Sequence, residues 1–580
     1  MFQFLFSIAC AVLRMNTFLR DTPAGQFLRL IGFKEWLAYP EELPGFEPTS
    51  MPVVVSEETA ESDTPGVLNL PAEHEIDPDL EKVHSKTSIS LTLDQTAATR
   101  RLSQDGLSEA IVVSFTENDS DNPRNWSTAK KNWTLVVINL YTFVVYCTAS
   151  IITPTAGFIM NRFGVSIVVA SLGLSMYVVG FDVFKDGVGP MFFSPISEIP
   201  RIGRNPPYLY SFIVFFGMSI ALAFVDNFPG LIVLRFLQGL FGSPCLASGA
   251  ASFDDIYDMY SAPYGYIWWV ASMYCGPAFG PLLAGYAVAD NWRWPLYEVV
   301  IMAGIVLVLL PLLPETSPTT ILLNRARRLR QATGNKAYLA PSELNPRPFT
   351  HVLKEALEKP GEITVKDPAI AYACVYGAIV YATYYSFFEA FPLVYLGTYK
   401  MSQGALGLIF TNITVGCLIG LIAYWLYLRY HFIPRAKQYH QRHGEPVPQE
   451  QWLRPGLLGV WGPPAGLFLF AWTARADIHW IAPTAGIAIF AATSFWVFQS
   501  LICYIPLTYP KYVASLFAAN DLSRSTLAAA FVQVTHQMYV NLGIDRGVTL
   551  VGGLSCIGVV GMYGLYYYGA SLRARSKFTG

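Results

Sequence analysis

From Trp133 to Gly569 the chain is a succession of apolar blocks, each about twenty residues long, the length that crosses the hydrocarbon core of a bilayer. Backbone inside lipid must satisfy its own hydrogen bonds, so blocks of this length fold as helices. Charged residues make up 14% of the chain, against about 25% in soluble domains. The pattern defines an all-α, multi-pass membrane protein. A net charge of -2 implies no nucleic-acid partner. The eight cysteines are scattered, mostly inside apolar blocks, without CxxC or His/Cys ligand spacing. They read as small buried hydrophobes, with neither a disulfide framework nor a metal site.

Twelve spans are expected, at about 134–153, 167–197, 208–225, 229–250, 264–287, 296–313, 369–392, 405–430, 455–473, 480–505, 513–537 and 548–569. A long polar segment, Glu315 to Asp367, separates the sixth from the seventh. The chain then divides into a tail (1–132), a six-helix bundle (133–313), a central loop (314–367), a second six-helix bundle (368–570) and a short tail (571–580). Lys and Arg crowd the central loop, the segment after span eight and the C-terminal tail, while the opposite loops carry about one each. The positive-inside rule therefore puts both termini in the cytoplasm.

Residues 1–14 are apolar but short and lack a basic start, so no cleaved signal peptide is expected. Residues 15–35 read either as an amphipathic helix on the membrane surface or as a loose tail. Pro40 to about Asp121 is rich in Pro, Ser, Thr and acids, the composition of a disordered segment. In the central loop, ILLNRARRLRQATGN predicts a basic amphipathic helix, with Ile321, Leu322 and Leu329 against the bilayer.

Span four, FPGLIVLRFLQGLFGSPCLASGAASFDD, carries Arg235 about two turns from its start, with Gln238 and Gly239 beside it. A mid-membrane arginine costs at least ~2.5 kcal/mol, so it faces protein or a water-filled path. Span five reads CGPAFGPLLAGY: Gly276-Pro277 and Gly280-Pro281 repeat at four-residue spacing, followed by Gly285. The prolines break helix hydrogen bonds and the glycines permit close helix contact. Span two ends in SPISEIPRIGRNP, where Glu198, Arg201 and Arg204 form a charge cluster in a tight turn. A latch onto helix ends and ordinary positive-inside charge both produce that pattern.

These stretches resemble the major facilitator superfamily. RFLQGLFGSP matches the family's fourth-helix motif, SPISEIPRIGRNP the loop between helices two and three, and CGPAFGPLLAGY the fifth-helix motif of proton antiporters. LPETSPTTILLNRARRLR, DNPRNWS, YYSFFEAFPLVY and TYPKYVASLFAANDLSRS narrow the resemblance to the fungal twelve-span drug:proton antiporter branch. It covers nearly all of the chain from Met15. It implies two pseudo-symmetric six-helix bundles in a monomer without a cofactor. It also implies export of drugs, toxins, polyamines or secondary metabolites in exchange for protons, with a small lipophilic or cationic substrate, protons and the bilayer as partners. One stretch departs from the pattern: DVFKD looks inserted in span two and puts Asp182, Lys185 and Asp186 at membrane depth.

On this reading Arg235, Gln238, Gly239 and Glu389 carry proton coupling. Glu389 is the preferred cavity carboxylate, set among aromatics inside span seven. Glu198, Arg201, Arg204, Asp254 and Asp255 form the inner gate. Tyr384, Tyr385, Phe388, Trp496 and Gln499 are candidate substrate contacts, since such cavities are mainly apolar and aromatic. Asp521 with Arg524 begins span eleven, and His536 follows on the same helix. The alternative to an exporter is a transport-inactive sensor of the same fold. An enzyme is disfavoured, because no nucleophile–base pair, metal motif or nucleotide loop is present.

Overall fold

Helices follow the apolar blocks in order. The computed structural model describes residues 16–43, 53–56, 109–182, 188–344, 349–509 and 513–576. Residues 1–14 and the centre of the DVFKD stretch lie outside these. In order, the spans begin with Thr128–Ser150 and then Leu172–Asp182 with Val188–Glu198. Next come Asn205–Phe224, Phe228–Gly242 with Pro244–Ile256, Ala262–Ala287 and Trp294–Leu309. After the central segment follow Pro368–Phe391, Gln403–Tyr427, Gly462–Thr473, Ile481–Thr508, Val513–Leu542 and Ile544–Arg575.

Among the described residues seven of these helices are long and apolar enough to span on length and composition alone. Spans five, seven and eleven fall short because they are dense in Gly, Tyr, Ser or charged residues, which suit protein neighbours rather than lipid. Span one is 78% buried along its most apolar stretch and span six 33%, so span one is interior and span six lipid-facing. Span four is not one helix. Pro244 cannot donate to the ladder, and the helix restarts there after Ser243, running on to Ile256. That carries Asp254 and Asp255 into its last turn.

The chain forms two compact units. The twelve spans belong wholly or mainly to one, made of Trp133–Ile196, Pro207–Leu310 and Leu353–Gly580. The other gathers Met1–Asn132, Ser197–Pro206 and Pro311–Val352. Its described part corrects two expectations. First, part of the segment read as a disordered tail is folded: β1 (Val53–Ser56) pairs antiparallel with β2 (Glu109–Val112), which pairs parallel with β3 (Tyr338–Leu339). Second, the basic helix Pro318–Thr333 does not lay Leu322 and Leu329 on lipid. They pack with Leu323, Val113 and Tyr338 in a small core. Arg325 Nε bonds Glu41 at 2.9 Å and its Nη1 pairs with Asp119. Arg20 Nη2 bonds Asp121 at 2.7 Å. Composition reads such interleaved charges as disorder, whereas their partners lie hundreds of residues away.

Candidate functional site

Arg235 is fully buried. Its Nε donates to the Gly173 carbonyl at 3.1 Å, Nη1 to the Thr148 carbonyl at 2.9 Å and Gln238 Oε1 at 3.2 Å, and Nη2 to the Ala149 carbonyl at 3.3 Å. Thr148 and Ala149 lie in the last turn of span one, whose carbonyls have no partner within the helix and carry the negative end of its dipole. Arg235 thus caps span one and ties it to spans two and four. Gln238 donates onward to Ser219 Oγ at 2.7 Å. Gly239 lets span two approach closely: a Cβ there would sit 2.1 Å from the Tyr177 carbonyl oxygen.

The doubled Gly-Pro motif packs span five between the two halves. Pro281 has no N–H to give the Pro277 carbonyl, and Ser150 Oγ of span one donates to it instead at 2.8 Å. A Cβ on Gly280 would stand 2.1 Å from that hydroxyl, one on Gly276 2.7 Å from Tyr146 Cβ, and one on Gly285 3.0 Å from the Gln403 carbonyl of span eight.

At the end of span five lies a cavity of about 430 Å³. Both halves line it: Pro154 and Leu174 from one, Phe388, Phe410, Glu389 and His536 from the other. The size suits a drug-sized molecule and the walls are mainly apolar. Glu389 and His536 are its titratable pair, with Nδ1 to Oε2 at 3.0 Å. The histidine, which stands alone in the sequence, is brought to the preferred carboxylate by the packing of span eleven on span seven. Tyr539 Oη reinforces that contact, 3.0 Å from Ser386 Oγ. Gln533 Nε2 bonds Ser171 and Ser175 of span two at 3.1 and 2.6 Å, joining the halves beside the cavity.

Of the other proposed substrate contacts, only Phe388 reaches this cavity, stacked on Phe410 with ring centroids 5.0 Å apart. Tyr384 Oη donates to the Tyr274 carbonyl at 2.8 Å, and Gln499 Nε2 to the Pro263 carbonyl at 3.1 Å. Both bonds link the second half to span five. Trp496 Nε1 donates to the Gly420 carbonyl of span eight at 2.8 Å. Tyr385 accepts from Tyr381 Oη at 3.3 Å. These two tyrosines lie beside a second charged centre. Asp521 and Arg524, 1% and 5% exposed, form an ion pair deep in span eleven. The guanidinium lies 5.1 Å from the Tyr381 ring centroid and 5.5 Å from that of Phe498. Asp521 Oδ2, Arg524 Nε and the Tyr146 hydroxyl are buried without a hydrogen-bond partner. Two charges three residues apart inside an apolar span were the available sequence signal.

The residues expected at the inner gate separate into two settings. Arg204 Nη1 bonds Ser197 Oγ at 3.0 Å, and its backbone N–H donates to Glu315 Oε1 at 2.9 Å. Glu315 also accepts from the N–H groups of Asn205 at 3.2 Å and Ser317 at 3.0 Å. The loop after span two is therefore held by the glutamate of LPET, which sequence reasoning did not single out. Burial raises the Glu315 carboxyl above its ordinary value, against the opposing pull of those three donors. Glu198 and Arg201 are exposed. Asp254, half-buried at the end of span four, accepts from Tyr266 Oη, and Asp255 beside it is also half-buried.

A family model described as Major Facilitator Superfamily matches residues 138–533. The MFS-type transporter pyvG of Aspergillus violaceofuscus is 44% identical over 469 residues, covering 80% of this chain and 84% of that protein. The fluconazole resistance protein 1 of Saccharomyces cerevisiae is 36% identical over 474 residues, covering 80% and 84%. The cycloheximide resistance protein of Candida maltosa is 32% identical over 585 residues, covering 97% and 100%. Among solved structures, the xylose transporter XylE from E. coli matches with a TM-score of 0.52 at 13% identity, over 75% of this chain and 98% of that one, a likeness of fold alone. The chain belongs to the Major Facilitator Superfamily, in its fungal multidrug-transporter branch, and has that family's twelve-helix membrane fold.

Proposed function

We propose that the chain exports small lipophilic or cationic molecules in exchange for protons, by alternating access, across the plasma membrane and with both termini in the cytoplasm. The single observation that carries this reading is the Glu389–His536 pair in an apolar cavity lined by both halves. A carboxylate in such a cavity holds either a proton or a substrate cation, and the neighbouring imidazole gives the proton a second acceptor. Competition for one carboxylate is sufficient for exchange. The cavity sits where spans one, five and seven end, the outer side under the positive-inside orientation. Drug-resistance names among relatives support the substrate class.

Asp521 is the second carboxylate available to the cycle. Enclosed with Arg524 and Tyr146, it becomes accessible only when the halves part. Arg235 keeps spans one, two and four together while they move as a body. The test is accumulation of a fluorescent cationic drug in cells expressing the chain. Expression lowers accumulation, and a protonophore restores it. Efflux that persists unchanged with the protonophore refutes antiport.

A further inference from the structure

The unit that holds the N-terminal segment and the central loop has an exposed apolar face. Phe27, Leu30, Ile31, Phe33, Trp36 and Leu43 are 63, 84, 56, 53, 41 and 54% exposed. So many large apolar side chains laid bare in one short segment mark an interaction surface. The segment is tied to the start of span one. Lys130, in the first turn of helix Thr128–Ser150, bonds Asp21 at 2.8 Å and stands 4.0 Å from the Trp126 ring. A Lys–Trp pair at the start of a spanning helix marks the headgroup level. Apolar side chains exposed in a segment bonded to that lysine suit the boundary between headgroups and acyl chains better than bulk water.

Beside this face is a cavity of about 660 Å³. Phe27, Leu30, Lys34, Arg327, Arg328 and Gln331 form part of its lining. The acids in its wall are all engaged. Asp21 is held by Arg20 at 3.1 Å and by Lys130, Glu42 by Arg29 at 2.7 Å, and Asp121 by Arg20. Glu315 is held by backbone N–H groups. Among the described lining cations, Lys34 and Arg327 are the most loosely held, while Arg328 is shared with Glu41 and the Tyr39 ring. Lys34 is 68% exposed and stands 4.0 Å from the already paired Glu42. Arg327 meets Asn324 at 3.5 Å. Arg328 is 3.5 Å from Glu41 and keeps a buried Nε without a partner.

We infer that this segment and helix Pro318–Thr333 form a binding site for an anionic phospholipid of the cytoplasmic leaflet. The acyl region lies along Phe27, Leu30 and Phe33, and Lys34, Arg327 and Arg328 hold the phosphate. The site has a route to the loop after span two: the Glu315 N–H bonds the Asp21 carbonyl at 3.0 Å, and the Glu315 carboxylate holds Arg204 and Asn205. It rests on the membrane fold and on the proposed cytoplasmic placement of the N-terminus, and not on the proposed substrate or on proton coupling.

The test uses the full chain with Cys10→Ser, Cys275→Ser, Cys556→Ser and Leu30→Cys, spin-labelled at position 30, in nanodiscs of phosphatidylcholine with or without phosphatidylserine. The label is expected to be more accessible to oxygen than to a water-soluble nickel chelate. Phosphatidylserine is expected to raise the Tm of the unlabelled protein, and Lys34→Gln with Arg327→Gln to abolish that rise without changing immersion. A label open to the nickel chelate in both lipids overturns the site. An immersed label with a Tm indifferent to phosphatidylserine, or a rise that survives in the double variant, overturns the headgroup assignment.

Discussion

Arg235 and Arg524 are both enclosed within the bundle, and they are held in opposite ways. Arg235 has four neutral acceptors, three of them backbone carbonyls. Its charge is absorbed by the dipole at the end of span one and by groups that do not titrate. Arg524 is paired with one carboxylate, and each partner keeps a polar atom unsatisfied. A satisfied buried charge is a fastener. An under-satisfied pair that includes a carboxylate changes its bonding when a proton arrives. The bonding therefore suits Arg235 to a structural role and the Asp521–Arg524 pair to a response, which the variants below distinguish.

Removing the fastener tests this contrast most severely. Arg235→Ala strips three buried carbonyls and Gln238 of their donor, at about 1–3 kcal/mol for each group left unsatisfied. The expected outcome is little folded protein in a thermal-stability assay on detergent-solubilised membranes. A variant with wild-type Tm and lost export would give Arg235 the coupling role instead.

The span-eleven pair should behave otherwise. Asp521→Asn alone strands a buried guanidinium and costs about 3–5 kcal/mol, whereas Asp521→Asn with Arg524→Gln leaves no lone charge. The double variant is expected to fold with a Tm near wild type and to export at about a tenth of the wild-type rate or less. Wild-type export from it would reduce the pair to packing.

Smaller effects belong to the unit outside the spans. Gly203 has φ +82, and a Cβ there would lie 2.6 Å from Glu315 Oε2. Gly203→Ala should cost about 1–3 kcal/mol of local strain, read as faster hydrogen exchange in residues 197–206 of the full chain. Burial tends to raise the Asp21 carboxyl, but Lys130 and Arg20 outweigh it and hold it below its ordinary 3.8. A depressed folded value stabilises above the unfolded pKa and is lost as pH falls through the folded one. Hydrogen-exchange protection of residues 20–30 should therefore hold at neutral pH and decline only below about pH 4.

Much of the fold was legible because hydrophobic length is a direct signal in lipid. The span positions, the span-four arginine with its Gln and Gly, and the close approaches at the doubled Gly-Pro could all be read from residue type and spacing. What could not be read depends on partners distant in the chain. His536 gains meaning only from Glu389, which packing brings within 3.0 Å. Glu315 looked like loop, yet it receives three backbone donors, two of them from a turn more than a hundred residues earlier. Trp496 and Gln499 belong to an aromatic run typical of substrate contacts, but their nitrogens are spent on helix–helix bonds. The break at Pro244 was visible as a proline, but the small residues around it read equally well as one continuous helix.

The central claim is that substrate and proton share Glu389. It is tested most directly by adding a cationic substrate to the purified protein in weakly buffered detergent solution and recording proton release. The wild-type protein should release protons on binding, and Glu389→Gln, with unchanged Tm, should release none. Equal proton release from Glu389→Gln would contradict the account.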